Sequence, residues 1–137
     1  NSSLAKVLTW DGEVKSIEKQ ISNSIQSSYK MNIKEDELIK KLSKDEKYIN
    51  HFNEVFKEEN SLNFINIQKA IATYVKILLT RSSFDEFLEG DNNAISATAK
   101  RGLVNFMNFG CAGCHTGMSV GGQSVQRFPL RQLGFSS

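Results

Sequence analysis

The only two cysteines of this 137-residue chain, Cys111 and Cys114, stand two residues apart, and one of its two histidines, His115, follows directly. The whole cysteine inventory therefore lies in one five-residue site. A disulfide framework needs several spaced cysteines, and a structural zinc site needs a second pair of Cys or His ligands at suitable spacing; the sequence offers neither. Two thiols at this spacing can each add to one vinyl group of a haem, and a histidine immediately after the second can bind the iron from below. On that reading Cys111 and Cys114 carry the thioether bonds of a covalent haem c, and His115 is the proximal ligand. The alternatives are a chance spacing in a reduced cytosolic protein and a thioredoxin-like redox pair. The latter requires a preceding strand and a βαβ context, which the pattern here does not supply.

One proline in 137 residues leaves long stretches free to be helical, and the apolar residues recur at spacings of three and four. The expected fold class is all-α, with cytochrome c-like helices packed around the attached haem. A first helix after Gly12 presents Val14, Ile17, Ile21 and Ile25 on one face. A second covers residues 34–43 with Leu38, Ile39 and Leu42 inward. A third starts at the capping box Ser43-Lys44-Asp45-Glu46 and turns Tyr48, Ile49, Phe52, Val55 and Phe56 inward. The strongest core helix is expected from Ile65 to Leu79, with a stripe of Ile67, Ala70, Ile71, Tyr74, Val75, Leu78 and Leu79. Ser83 with Glu86 should cap a short helix carrying Phe84, Phe87 and Leu88, before a turn at Gly90-Asp91-Asn92-Asn93. A helix over about 95–109, with Leu103, Val104, Phe106 and Met107, then delivers the chain into Cys111. Beyond His115 the glycines at 117, 121 and 122 mark a stretch without a further helix.

With 39% hydrophobic and 23% charged residues the composition is that of a folded globular protein, and a formal charge of +2 advertises neither nucleic acid nor anionic lipid as partner. No apolar run reaches the roughly 18 residues of a membrane span. Asn1-Ser2-Ser3-Leu4 does not read as a signal peptide, so export implies a leader outside this sequence. Haem c is attached on the exported side of the bacterial membrane, which makes the expected location periplasmic. The sixth iron position separates an electron carrier from a catalyst with an exchangeable site. Met118 is tied to the same side of the ring as His115, and Met107 reads as core. Met31 and His51 are within reach along the sequence, but packing or solvent exposure is the better reading of each.

Beyond the haem motif, Thr9-Trp10-Asp11-Gly12 and Ile17-Glu18-Lys19-Gln20 are joined by Gln68-Lys69-Ala70-Ile71-Ala72-Thr73-Tyr74 and Leu78-Leu79-Thr80. Ser83 through Asp91, Ala99-Lys100-Arg101-Gly102-Leu103 and Gly121-Gly122 complete a pattern running nearly the whole length. It resembles the bacterial di-haem cytochrome c peroxidases and their relatives that mature tryptophan-derived cofactors. The resemblance implies two cytochrome c-like haem domains, with residues 1–92 closing the first and residues 93–137 opening the second. It also implies an incomplete chain, with the first haem motif before Asn1 and the methionine of the second haem after Ser137.

In that family the haem matching His115 takes electrons from a small cytochrome c or a cupredoxin, and the other haem reduces hydrogen peroxide. The tryptophan matching Trp10 relays electrons between the two; without the family it would read as a core aromatic. The resemblance also allows a homodimer. One departure matters. Before Met31-Asn32 the family carries a glutamate that moves protons at the peroxide site, and this sequence has Lys30. An ammonium accepts no proton from peroxide at neutral pH, which argues against ordinary turnover. Glu35, Asp36 and Glu37 lie nearby but read as the acidic first turn of a solvated helix. The expected function is thus a peroxidase-like oxidoreductase. The alternatives are an electron-transfer cytochrome without peroxidase activity and a di-haem enzyme oxidising a protein or organic substrate.

Overall fold

The computed structural model describes residues 1–121, so Gly122 and the question of a later helix lie outside the described residues. Among the described residues every regular element is helical, as the spacing of the apolar residues required. Six α-helices follow a 3₁₀ turn at Ser2–Leu4: α1 (Ile17–Gln26), α2 (Glu35–Leu42), α3 (Glu46–Phe56), α4 (Phe64–Ile77), α5 (Ser83–Leu88) and α6 (Ala97–Asn108). A 3₁₀ turn at Cys111–Gly113 closes the series. The chain divides into one compact unit of Val7–Leu79 and another built from Ser3–Lys6 and the chain from Thr80 onward.

In the Val7–Leu79 unit the helix starts follow from side chains that satisfy free backbone N–H groups. Ser16 accepts from the Lys19 N–H at 3.1 Å to start α1, and Asn63 accepts from the Asn66 N–H at 2.9 Å to start α4. The start of α3 differs from expectation. Its cap is Asp45, which accepts from the Lys47 N–H at 2.9 Å, whereas Ser43 keeps helical dihedrals as the C-cap of α2 and donates to the Lys40 carbonyl at 3.2 Å. The Ser43-x-x-Glu46 pattern straddled the end of one helix and the start of the next.

Ile21 and Ile25 of α1 pack with Phe64 and Ala72 of α4 to form the core, with Ile17, Ile33, Leu38 and Ile39 against them. Lys76 of α4 and Glu18 of α1 form an ion pair at 3.2 Å along the edge of this contact. The expected stripe of α4 is corrected by the structure. Ile67 is buried, but Ala72, outside the expected set, is the most buried apolar residue, and Ile71, Tyr74, Leu78 and Leu79 are exposed. Val55 of α3, expected inward, is also exposed, and Tyr48 is only partly covered. These side chains have too few neighbours in this unit to cover them. Instead Met31, Leu38, Tyr48, Phe52, Ile71 and Tyr74 line an open apolar cavity of about 440 Å³.

The α3–α4 connection holds a buried polar knot. Asn66, 1% exposed, donates from Nδ2 to the Ser61 carbonyl at 2.9 Å and to Glu58 Oε1. The buried Ser61 hydroxyl donates to the Glu58 carbonyl at 2.7 Å. Both donors of the Asn66 amide are thereby satisfied, as burial demands.

In the unit from Thr80, α5 begins one residue earlier than expected in its cap. Ser82, extended, accepts from the Asp85 N–H at 3.4 Å, and Asp85 accepts from the Ser82 N–H at 2.7 Å. The Ser82 hydroxyl, donating to Asp85 Oδ2 at 2.7 Å, and next the Ser82 N–H hold the Asp85 carboxyl below its ordinary value. Ser96 caps α6 by accepting from the Ala99 N–H at 3.1 Å. No apolar residue of this unit is buried among the described residues.

Truncating Ile25 to Ala should lower unfolding stability by about 2–5 kcal/mol, because it opens the α1–α4 contact. Glu18→Gln should cost under about 1 kcal/mol, since its pair is half-exposed. Urea denaturation of the two variants checks both values.

Candidate haem site

Helix α6 positions the cysteine motif. It ends with the Phe109 N–H donating to the Asn105 carbonyl at 2.9 Å and the Gly110 N–H to the Met107 carbonyl at 3.0 Å. Gly110 takes φ +78°, the left-handed conformation that glycine adopts without a Cβ penalty at helix ends. The chain then enters the Cys111–Gly113 turn, where the Cys114 and His115 N–H groups both donate to the Cys111 carbonyl, at 3.2 and 3.0 Å. This single turn brings Cys111, Cys114 and His115 into one compact loop. Both thiols are free and exposed, so both are available for addition.

His115 is held by what surrounds it. Its Nδ1 lies 3.2 Å from the Val120 carbonyl oxygen, which can only accept, so Nδ1 is the donor and Nε2 is the nitrogen left to bind a metal. The Phe106 ring meets the imidazole edge-on, 5.9 Å between centroids and 66° between planes. Around the motif, Val104, Met107 and Phe109 are exposed, Phe109 at 80%. Two accessible thiols, an imidazole with one nitrogen tied back and a rim of uncovered apolar side chains fit a haem c group. The sequence flagged Gly121 within a pattern, but nothing in it identified Val120 as the carbonyl that meets His115.

The other candidate residues lie elsewhere. Trp10 stands at the outside of a tight turn in the Val7–Leu79 unit, 99% exposed, so it is not a core aromatic there. The Gly12 N–H closes this turn onto the Thr9 carbonyl at 3.0 Å, with Gly12 at φ +76°. The Thr9 hydroxyl donates to Asp11 Oδ1 at 2.5 Å and the Glu13 N–H to the same oxygen at 3.1 Å. Together, the hydroxyl foremost, they hold the Asp11 carboxyl below its ordinary 3.8. Lys30 is exposed at the turn after α1, where its N–H donates to the Ser27 carbonyl at 2.9 Å. It has no ion-pair partner among the described residues. Met31 lines the apolar cavity, His51 lies exposed on α3, and Met107 and Met118 are exposed. Gln20 on α1, which the sequence marked only as the end of the Ile17–Gln20 segment, buries its side-chain oxygen without a hydrogen-bond donor among the described residues. An acceptor left so costs on the order of 1–3 kcal/mol and is satisfied by any donor that reaches it.

Among the described residues the chain is all-helical, the fold class of the c-type cytochromes. The sequence profile of the di-haem cytochrome c peroxidase family matches residues 1–93, and the chain belongs to that family. It is 36% identical over 123 residues to cytochrome c551 peroxidase of Pseudomonas aeruginosa, covering 88% of this chain and 36% of that protein. It is 37% identical over 125 residues to cytochrome c peroxidase Ccp of Escherichia coli, covering 90% and 26%. Methylamine utilization protein MauG of Methylorubrum extorquens is 31% identical over 118 residues, covering 85% and 33%. The chain thus spans about a quarter to a third of the length of these curated relatives. The family's cofactor is haem c. No helix among the described residues is long and apolar enough to cross a membrane.

Because the Asp11 carboxylate is favoured by its partners, the Thr9–Glu13 turn is fully organised above the ordinary carboxylate value and loosens as pH falls through the lowered one. In a pH series of ¹⁵N–¹H spectra the Glu13 amide should shift with a midpoint below 3.8. Thr9→Val should move that midpoint upward.

Proposed function

We propose that this chain carries one covalent haem c, bound through Cys111 and Cys114 and ligated by His115 Nε2, within a periplasmic di-haem peroxidase-like oxidoreductase. The observation that carries this is the unit from Thr80. In it α6 leaves Val104 and Met107 exposed, and Phe109 is exposed just before two exposed thiols, with no apolar residue of the unit buried among the described ones. Such a unit needs an apolar body at its centre, and a porphyrin bonded to the cysteines supplies one.

When bound, haem c supplies one-electron redox chemistry at its iron. The residues of this chain do the rest. Cys111 and Cys114 hold the ring, the Val120 carbonyl orients His115, and Phe106 restricts the imidazole plane. In the whole protein, residues 1–92 close the first haem domain and residues 93–137 open the second. A haem held by Cys111, Cys114 and His115 would give the protein an entry point for electrons from a small cytochrome c or cupredoxin. The indole of Trp10, exposed on a turn rigidified by Thr9 and Asp11, is the relay toward the other haem. The substrate is hydrogen peroxide, reduced by two electrons and two protons to water, which agrees with the names of the peroxidase relatives.

Lys30 favours a second reading. Its unpaired ammonium stands where the family resemblance places a proton-transferring glutamate, so the protein passes electrons with little peroxide turnover of its own. Denatured mass and visible spectra of oxidised and reduced protein from a host that assembles haem c test the attachment. The expected result is one covalent haem assigned to the Cys111–His115 peptide, lost in the Cys111→Ala/Cys114→Ala variant. A colourless protein at its bare polypeptide mass overturns it.

Peroxide turnover with a reduced small cytochrome separates the two functions. In the full-length holoprotein Lys30→Glu should raise turnover by about 10²-fold or more if Lys30 occupies the proton-transfer position. An unchanged rate would remove Lys30 from that position.

A further inference from the structure

The loop after His115 returns on itself in a conformation that costs its residues something. Gly117, Val120 and Gly121 all have positive φ, at 78°, 50° and 146°. For Val120, a β-branched residue, this region is strongly disfavoured, and in a short loop such a geometry persists only where the surroundings hold it. The bend is tied twice. The Val120 N–H donates to the Gly117 carbonyl at 2.9 Å, and the Gly121 N–H donates to the Thr116 carbonyl at 3.0 Å. Its result is to aim the Val120 carbonyl back at His115 Nδ1, at 3.2 Å.

Gly121 is the position that permits this approach. A Cβ built there would lie 3.2 Å from His115 Nδ1 and 3.9 Å from its Cε1, closer to the ring nitrogen than a side-chain carbon ordinarily comes. Its φ also lies where L-residues are strained. By contrast, a Cβ at Gly102 in α6 would meet nothing within 4 Å. With the Phe106 ring on the imidazole as well, the orientation of His115 is set by two contacts, one ring and one backbone carbonyl, and the bare Gly121 leaves room for the second.

We propose that Gly121 is a positioning residue for the axial ligand: by bringing the Val120 carbonyl onto Nδ1, it fixes the tautomer and plane of His115 and makes Nε2 a more electron-rich donor. This rests on the haem attachment proposed above. Hydrogen bonding at Nδ1 raises the basicity of the ligating nitrogen and stabilises the oxidised iron, so it holds the midpoint potential down.

The test uses the full-length holoprotein with Gly121→Ala, and Gly102→Ala as the control for adding a methyl elsewhere in the same unit. Gly121→Ala should retain its covalent haem by mass. It should show faster solvent exchange of the His115 Nδ1–H in the reduced protein and a more positive midpoint potential. Gly102→Ala should change neither. An unchanged exchange rate and potential in Gly121→Ala overturns the proposal.

Should Gly121→Ala fail to assemble, the wild type decides. In its diamagnetic reduced form, with carbon monoxide added if the iron is five-coordinate, the ¹⁵N-labelled His115 Nδ1–H should exchange slowly with solvent. Fast exchange there overturns the proposal. A wild-type protein without covalent haem fails the attachment itself, and the two failures are told apart by mass before any potential is measured.

Discussion

The packing of Ile21 and Ile25 against Phe64 and Ala72 is the contact on which the Val7–Leu79 unit depends. Ala72 has no bulk to keep α1 and α4 apart, and the two isoleucines, one helical turn apart, fill the space this leaves. Burial of such side chains is worth about 1.5–3 kcal/mol each, far more than the half-exposed Glu18–Lys76 pair at the edge. The ion pair therefore sets register more than strength. Asn66 and Ser61 extend the same seam into the α3–α4 connection, where every buried donor of the Asn66 amide has found an acceptor.

Around that seam lies more apolar surface than the unit covers. Tyr48, Val55, Ile71, Tyr74 and Leu79 are exposed, and a 440 Å³ cavity opens between α2, α3 and α4. Contiguous apolar faces of this kind mark surfaces that can take a partner or a further packed element. The unit from Thr80 shows the same excess more strongly. There the local rules of helix capping and termination are met at Ser82, Ser96 and Gly110, yet no apolar side chain is buried among the described residues. Local structure is complete there, while apolar burial among the described residues is not.

Helix existence and order were legible because a period of three to four survives in any sequence that forms amphipathic helices. The caps were less so. Ser43 and Ser83 each had an acid three residues on, but the working caps are Asp45 and Ser82, since the choice depends on which residue takes extended dihedrals where two elements meet. The α4 stripe shows the same limit: periodicity marked Ile71 and Tyr74 as readily as Ile67, and only the position of α1 decides which of them is covered.

Sequence alone determined the helical class and set two thiols and an imidazole within five residues at Cys111, because their spacing is a covalent fact of the chain. It determined as well that Lys30 brings a cation where the family resemblance expects a carboxylate. Tertiary structure decided that Trp10 stands in solvent on a braced turn, that Ala72 and not Tyr74 meets the core, and that the Val120 carbonyl reaches His115. Each of these depends on where the backbone turns between elements. Those directions arise from the sum of many weak contacts, which no local run of residues encodes.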